Sequence, residues 1–102
     1  MKSKYEWLIE AIPEGNENAK HGAIVSKEIG VSELTLRKMI NSARKDGVPI
    51  IANDNGYFLF NGSAEDFHYS RAFVKKLRSH ANEELETAQT IENIVKTMIG
   101  RG

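Results

Sequence analysis

Arg37, Lys38 and Asn41 are the side chains of this sequence best equipped to recognise another molecule. A guanidinium, an ammonium and a carboxamide offer hydrogen-bond groups in defined geometry. Spacings of three and four residues set Arg37 and Lys38 beside Asn41 on one side of a helix. Lys27, Ser32, Glu33 and Leu34 lie just upstream. Residues suited to bond-making are harder to assemble. His21, His68 and His80 have no partner at i, i+4 and no HExxH pattern surrounds them. His68 is expected at the surface or in an interface. Glu65-Asp66 and Glu83-Glu84 are sequence neighbours, so on a helix they face different ways and cannot flank one bond. No phosphate-binding glycine loop, nucleophile elbow or dinucleotide fingerprint occurs. The expectation is a protein that is not an enzyme and uses neither cofactor nor metal.

The recognition set needs a scaffold, and the stretch Gly22 to Asn41 supplies one. Val25 and Ile29 share one helical face, and Leu36, Met39 and Ile40 repeat the pattern one helix later. Gly30 between them can adopt the left-handed backbone that ends a helix. Ser32 stands where the next helix needs an N-cap. Two short helices joined so tightly cross steeply, bury their apolar faces together and leave Glu33, Leu34, Arg37, Lys38 and Asn41 outside. An ordinary helical hairpin packed into a core is the competing reading.

Around this stretch the pattern continues. Ser3 to Ile12 predicts a first helix, with capping-box spacing at Ser3 and Glu6 and a buried stripe of Tyr5, Leu8, Ile9 and Ile12. Trp7 lies off that stripe, as a surface aromatic or as a contact for the C-terminal segment or a second subunit. Pro13 ends the helix, and Pro13 to Lys20 is expected to be an aperiodic polar loop. The helix begun at Ser32 runs through Lys45 and stops at Asp46-Gly47. The runs VPII and YFLF flank ANDNG, which predicts a β-hairpin with positive φ at Gly56. Alternation puts Tyr57 and Leu59 on one face, Phe58 and Phe60 on the other. The second face needs a cover beyond the three helices, and the segment near Phe67 and Tyr69 is expected to provide it.

The pieces GVSELTLRKMINSARKDGVPI and NGYFLF resemble the winged helix-turn-helix DNA-binding domain of biotin-operon repressors, a module found in many small bacterial and phage regulators. The likeness spans roughly Gly22 to Phe60 and carries no biotin chemistry. It implies a winged helix-turn-helix over 1–62; with the run after Ser63, read separately as a C-terminal helical dimerisation segment over 63–102, the expected fold is mainly α with a small β-hairpin. It also implies that Ser32, Glu33, Leu34, Arg37, Lys38 and Asn41 meet double-stranded DNA while the hairpin tip lies against the backbone. Arg37, Lys38 and Asn41 would bond base edges in the major groove, and Lys27 and Ser32 would hold phosphates. This sequence departs from the pattern at acidic Glu33 and at the tip Asn53-Asp54-Asn55-Gly56, which has no Lys or Arg.

From Ser63 the character changes. A capping serine precedes Glu65 and Asp66, and no Pro or Gly interrupts until Gly100. That allows a helix of about 35 residues, about 53 Å if straight. Its inner heptad positions are Phe67, Ser70, Val74, Leu77, Ala81, Glu84, Ala88, Ile91, Val95 and Met98, a seam flawed at Ser70 and Glu84. Val74, Leu77, Ala81, Leu85, Ala88, Ile91 and Val95 are the expected dimerisation residues. Arg71, Lys75, Lys76 and Arg78 fill the first half and Glu83, Glu84, Glu86 and Glu92 the second, which favours an antiparallel homodimer about a point near Ala81. The alternative is a helix broken at Ser79-His80-Ala81-Asn82 and folded back on its own domain.

The whole chain of 102 residues balances 14 basic against 14 acidic side chains. Lys27, Arg37, Lys38, Arg44 and Lys45 cluster near the recognition set, and Glu6, Glu10, Glu14 and Glu17 lie upstream, so the surface is expected to be dipolar with modest affinity per subunit. Absence of cysteine excludes disulfides and cysteine-ligated zinc and fits a bacterial or phage-infected cytoplasm. The amphipathic, acid-bearing start is unlike a secretory signal, and no run suits a membrane span. The functional expectation is a sequence-specific regulator of transcription or recombination in a phage or mobile element. A winged-helix module that binds protein instead of DNA is the alternative.

Overall fold

Helical periodicity and the single hairpin signal set the element order. In the computed structural model, which describes residues 5–100, α1 spans Glu6–Ala11, a 3-10 turn Asn16–Asn18, α2 Gly22–Ile29 and α3 Glu33–Lys45. Strands β1 (Ile50–Asn53) and β2 (Gly56–Leu59) follow, then α4 (Ala64–Gly100). The fold is mainly α with one antiparallel two-stranded hairpin and a long C-terminal helix. Leu8 from α1, Ile12 just after it, Val25 from α2, Leu36, Ile40 and Ala43 from α3 and Ile50 from β1 close into one core. The 3.6-residue period makes this possible, because each helix commits one stripe to the centre.

The first helix is shorter than the sequence predicts. Ile12 is already extended, with φ −101° and ψ 118°, as the residue before a proline prefers. The proposed cap at Ser3 lies outside the described residues. The Tyr5 hydroxyl instead donates to Asp46 Oδ2 at 2.5 Å, tying the start of α1 to the end of α3. That bond, with burial and the nearby negative charge behind it, holds the phenol above its ordinary pKa.

Pro13 to Lys20 is not the aperiodic loop expected. Gly15 N donates to Leu59 O (2.9 Å) and Leu59 N to Pro13 O (2.8 Å), while Lys20 and Tyr57 exchange both backbone bonds at 2.9 and 3.0 Å. The segment therefore adds two isolated bridges to the free edge of β2. No apolar alternation marks it, because backbone groups make these contacts. Gly56 is the consequence at sequence level. Its φ is 122°, and a Cβ there would stand 2.3 Å from the Lys20 carbonyl.

In the hairpin Ile50 pairs with Leu59 and Ile51 with Phe58. Tyr57 and Leu59 pack on the core, and Phe58 is fully buried on the opposite face. As expected, α4 covers that face: the Phe58 and Tyr69 rings meet edge to face with centroids 6.4 Å apart. Phe67 does not take part and remains 55% exposed. The helix periodicity explains this, since Tyr69 and Phe73 share a side from which Phe67 is turned away.

The start of α4 is fixed by a buried carboxylate. Asp66 is 0% exposed. Its Oδ1 accepts from Asn16 N (3.0 Å) and Asn16 Nδ2 (2.7 Å), and its Oδ2 from Asn61 N (3.1 Å). Its own N–H donates to the Ser63 hydroxyl at 3.1 Å, the cap the sequence predicts. Burial pushes the Asp66 carboxyl up, but the Asn16 and Asn61 donors outweigh it and hold the pKa below the ordinary value. Beyond this anchor α4 is unbroken, so the break at Ser79 to Asn82 does not occur. Every residue from Val74 to Gly100 is exposed.

Two outcomes follow for equilibrium unfolding in urea. Gly56→Ala should cost on the order of 3 kcal/mol, through backbone collision and strain. A native-like value would mean that the Lys20 strand can move aside. Asp66→Asn should cost about 2 kcal/mol at neutral pH by setting an amide against an N–H donor. Because the folded pKa is depressed, the wild-type contribution is complete above about pH 4 and is lost as pH falls through the folded value. The variant should lack this part of the acid limb.

Candidate nucleic-acid interface

The turn between α2 and α3 has the predicted geometry. Gly30 ends α2 in the left-handed region (φ 75°, ψ 34°), and Val31 N donates to Ser26 O at 3.0 Å. The Ser32 hydroxyl oxygen accepts from Thr35 N at 3.1 Å and donates to Thr35 Oγ1 at 3.0 Å. The Ser32 hydroxyl is thus engaged within the first turn of α3 as its cap. Thr35 had no signal of its own in the sequence beyond its place three residues after the cap.

With Leu36, Ile40 and Ala43 buried, α3 presents its other side to solvent. Glu33, Leu34, Arg37, Lys38 and Asn41 are all exposed, as is Lys27 on α2. Leu34 is 58% exposed, as is Trp7 on α1. Among the described residues, Arg37 and Lys38 make no ion pair or side-chain hydrogen bond. Asn41 is exposed, and its Oδ1 accepts a long bond, 3.4 Å, from Arg44. The structure therefore leaves Glu33, Leu34, Arg37, Lys38 and Asn41 exposed on the side of α3 away from the core, and Lys27 exposed on α2.

Not all nearby charge belongs to that surface. Between residues 20 and 45 there are six basic and two acidic side chains. Lys20 is paired with Glu28 at 3.0 Å. Arg44 is turned inward: its Nε donates to Ile50 O at 2.7 Å and its guanidinium lies 4.6 Å from the Phe73 ring centroid. Burial pushes the Arg44 pKa down, partly countered by Tyr57. Arg44 is thus a bracket joining α3, β1 and α4, and the positive cluster at the surface reduces to Lys27, Arg37, Lys38 and Lys45, with Glu33 among them.

The hairpin tip is held by Asn55 N donating to Asn53 Oδ1 at 2.8 Å. Asn53 and Asp54 border a shallow groove whose far wall is Phe73, Lys76, Leu77 and His80 of α4. The tip therefore leans toward α4, and Lys76 supplies beside it the positive charge that the tip lacks. Sequence reading placed Lys76 only in the charge pattern of the long helix, since nothing local ties it to the hairpin. No family model, curated protein or solved structure matches the chain.

Urea unfolding separates the two kinds of arginine. Arg44→Ala should lower stability by about 2 kcal/mol through the lost carbonyl bond and ring contact. Arg37→Ala should stay within about 0.5 kcal/mol of the parent. The reverse order would show that Arg44 is the outward residue.

Proposed function

We propose that the chain is a winged-helix, sequence-specific DNA-binding protein that enters the major groove with the exposed side of α3. The observation that carries this reading is that side itself. Arg37, Lys38 and Asn41 stand together with unengaged donors while the opposite side of α3 is locked into the core. Arginine pairs with guanine and asparagine with adenine in the geometries that best discriminate bases. Lys27, and Lys76 beside the hairpin tip, would neutralise phosphates and set the register without reading sequence. A homodimer through α4 would double these contacts and offset the modest charge of each subunit. A role in transcriptional or recombination control, in a phage or other mobile element inside a bacterial cell, accords with the small size and with the resemblance. For the membrane, the structure shows only that no described helix is long and apolar enough to cross one.

Exposed Leu34 and acidic Asp54 favour a second reading, a module whose α3 surface binds a protein. Salt separates the two, because displacement of counterions makes DNA affinity fall steeply with ionic strength.

On a site selected from random duplexes, Arg37→Ala should cost about 1–3 kcal/mol and relax preference at one base pair. Lys27→Ala should weaken all sequences alike and lower the salt slope by about 1. Wild-type affinity in both variants would remove DNA as the ligand of this surface.

A further inference from the structure

The exposed part of α4 is the largest unexplained feature of the molecule. Nine large apolar side chains from Phe67 to Ile99 are each between 42% and 74% exposed. Together they present on the order of 800 Å², about what each partner gives to a standard stable interface. Six of the nine, Phe67, Val74, Leu77, Ile91, Val95 and Met98, keep the heptad spacing that drives left-handed pairing with another helix.

We infer that this face is covered by α4 of a second copy of the chain, laid antiparallel. Charge decides the direction. Arg71, Lys75, Lys76 and Arg78 occupy the half near the folded unit, and among residues 83–99 Lys96 is the single basic side chain against four glutamates. A parallel pair would align like charges, whereas the antiparallel pair sets Arg71 of one copy level with Glu92 of the other. Centred between Ala81 and Glu84, it also opposes Leu77 to the smaller Ala88 and sets Val74 against Ile91, an apolar pair. Glu84, the acid in the seam, then faces a small residue and lies within reach of Arg78.

The width of the apolar face supports the same direction. Between Val74 and Ala88 it covers roughly 80° of the helix, but from Ile91 to Ile99 roughly 140°, at about 100° per residue. A single helix covers the narrow part. The wide part needs more cover, and in the antiparallel pair it falls beside the folded unit of the other copy, near exposed Phe67. One consequence rests on the DNA reading. The two folded units, each attached near Ser70, would sit about 37 Å apart along the rod. That is close to one turn of B-DNA, the usual half-site separation.

The test uses the full chain without DNA, so it fails or succeeds separately from the DNA reading. The chain has no cysteine of its own. Sedimentation should give a dimer at micromolar concentration. Arg71→Cys and Glu92→Cys chains, both altered at exposed positions, should on mixing and mild oxidation form the 71–92 disulfide between chains. Each variant alone should remain largely uncross-linked. A monomer in sedimentation, or disulfides joining 71 to 71 and 92 to 92, would overturn the proposal.

Discussion

A helix of 37 residues that touches its own domain only near its beginning puts unusual demand on that first contact. Asp66 meets the demand. Its two oxygens collect three donors from two separate segments, the 3-10 turn at Asn16 and the exit of the hairpin at Asn61. Removal of a carboxylate from water is costly unless its lone pairs are satisfied, and here they are. The same bond set explains why an irregular segment lies in order. Asn16 held by Asp66 keeps Pro13 to Lys20 along β2, and the backbone bonds from Gly15 and Lys20 then complete the edge of the sheet. Gly56 is bound into this arrangement because the Lys20 backbone passes where a side chain would be.

The exposed side of α3 depends on that framework at one remove. α3 is fixed by Leu36, Ile40 and Ala43 in the core and by Arg44, which bridges to Ile50 and Phe73. With its inner side so committed, the orientation of Arg37, Lys38 and Asn41 follows from 3.6 residues per turn. The long helix contributes to the same end of the molecule, placing Lys76 and His80 beside the hairpin tip. Two exposed features, an outward polar side on α3 and an apolar stripe on α4, therefore share one junction.

The helices, the Gly30 turn, the Ser32 cap, the hairpin and its alternation were legible in the sequence because each follows from local periodicity or backbone preference. The exposed side of α3 was legible for the same reason. What escaped was carried by polar groups across long separations. Nothing near Asp66 announces Asn16, fifty residues earlier. Arg44 reads as one more cation in a basic cluster until Ile50 and Phe73 appear around it. The bridges of Pro13 to Lys20 use backbone atoms and leave no mark in side-chain pattern. Phe67 was misplaced because a choice between neighbouring aromatics depends on the rotation of α4, which Asp66 and Tyr69 set together.

The central claim is that the outward side of α3 is where this protein meets its ligand and that the ligand is duplex DNA. Backbone amide shifts, followed as a mixed-sequence duplex is titrated into labelled full-length protein, test it most directly. The account predicts movement concentrated at Lys27 and over 32–42, with smaller changes at the hairpin tip, all diminishing as salt is raised. Shifts confined to the far half of α4, or none at low salt, would contradict it.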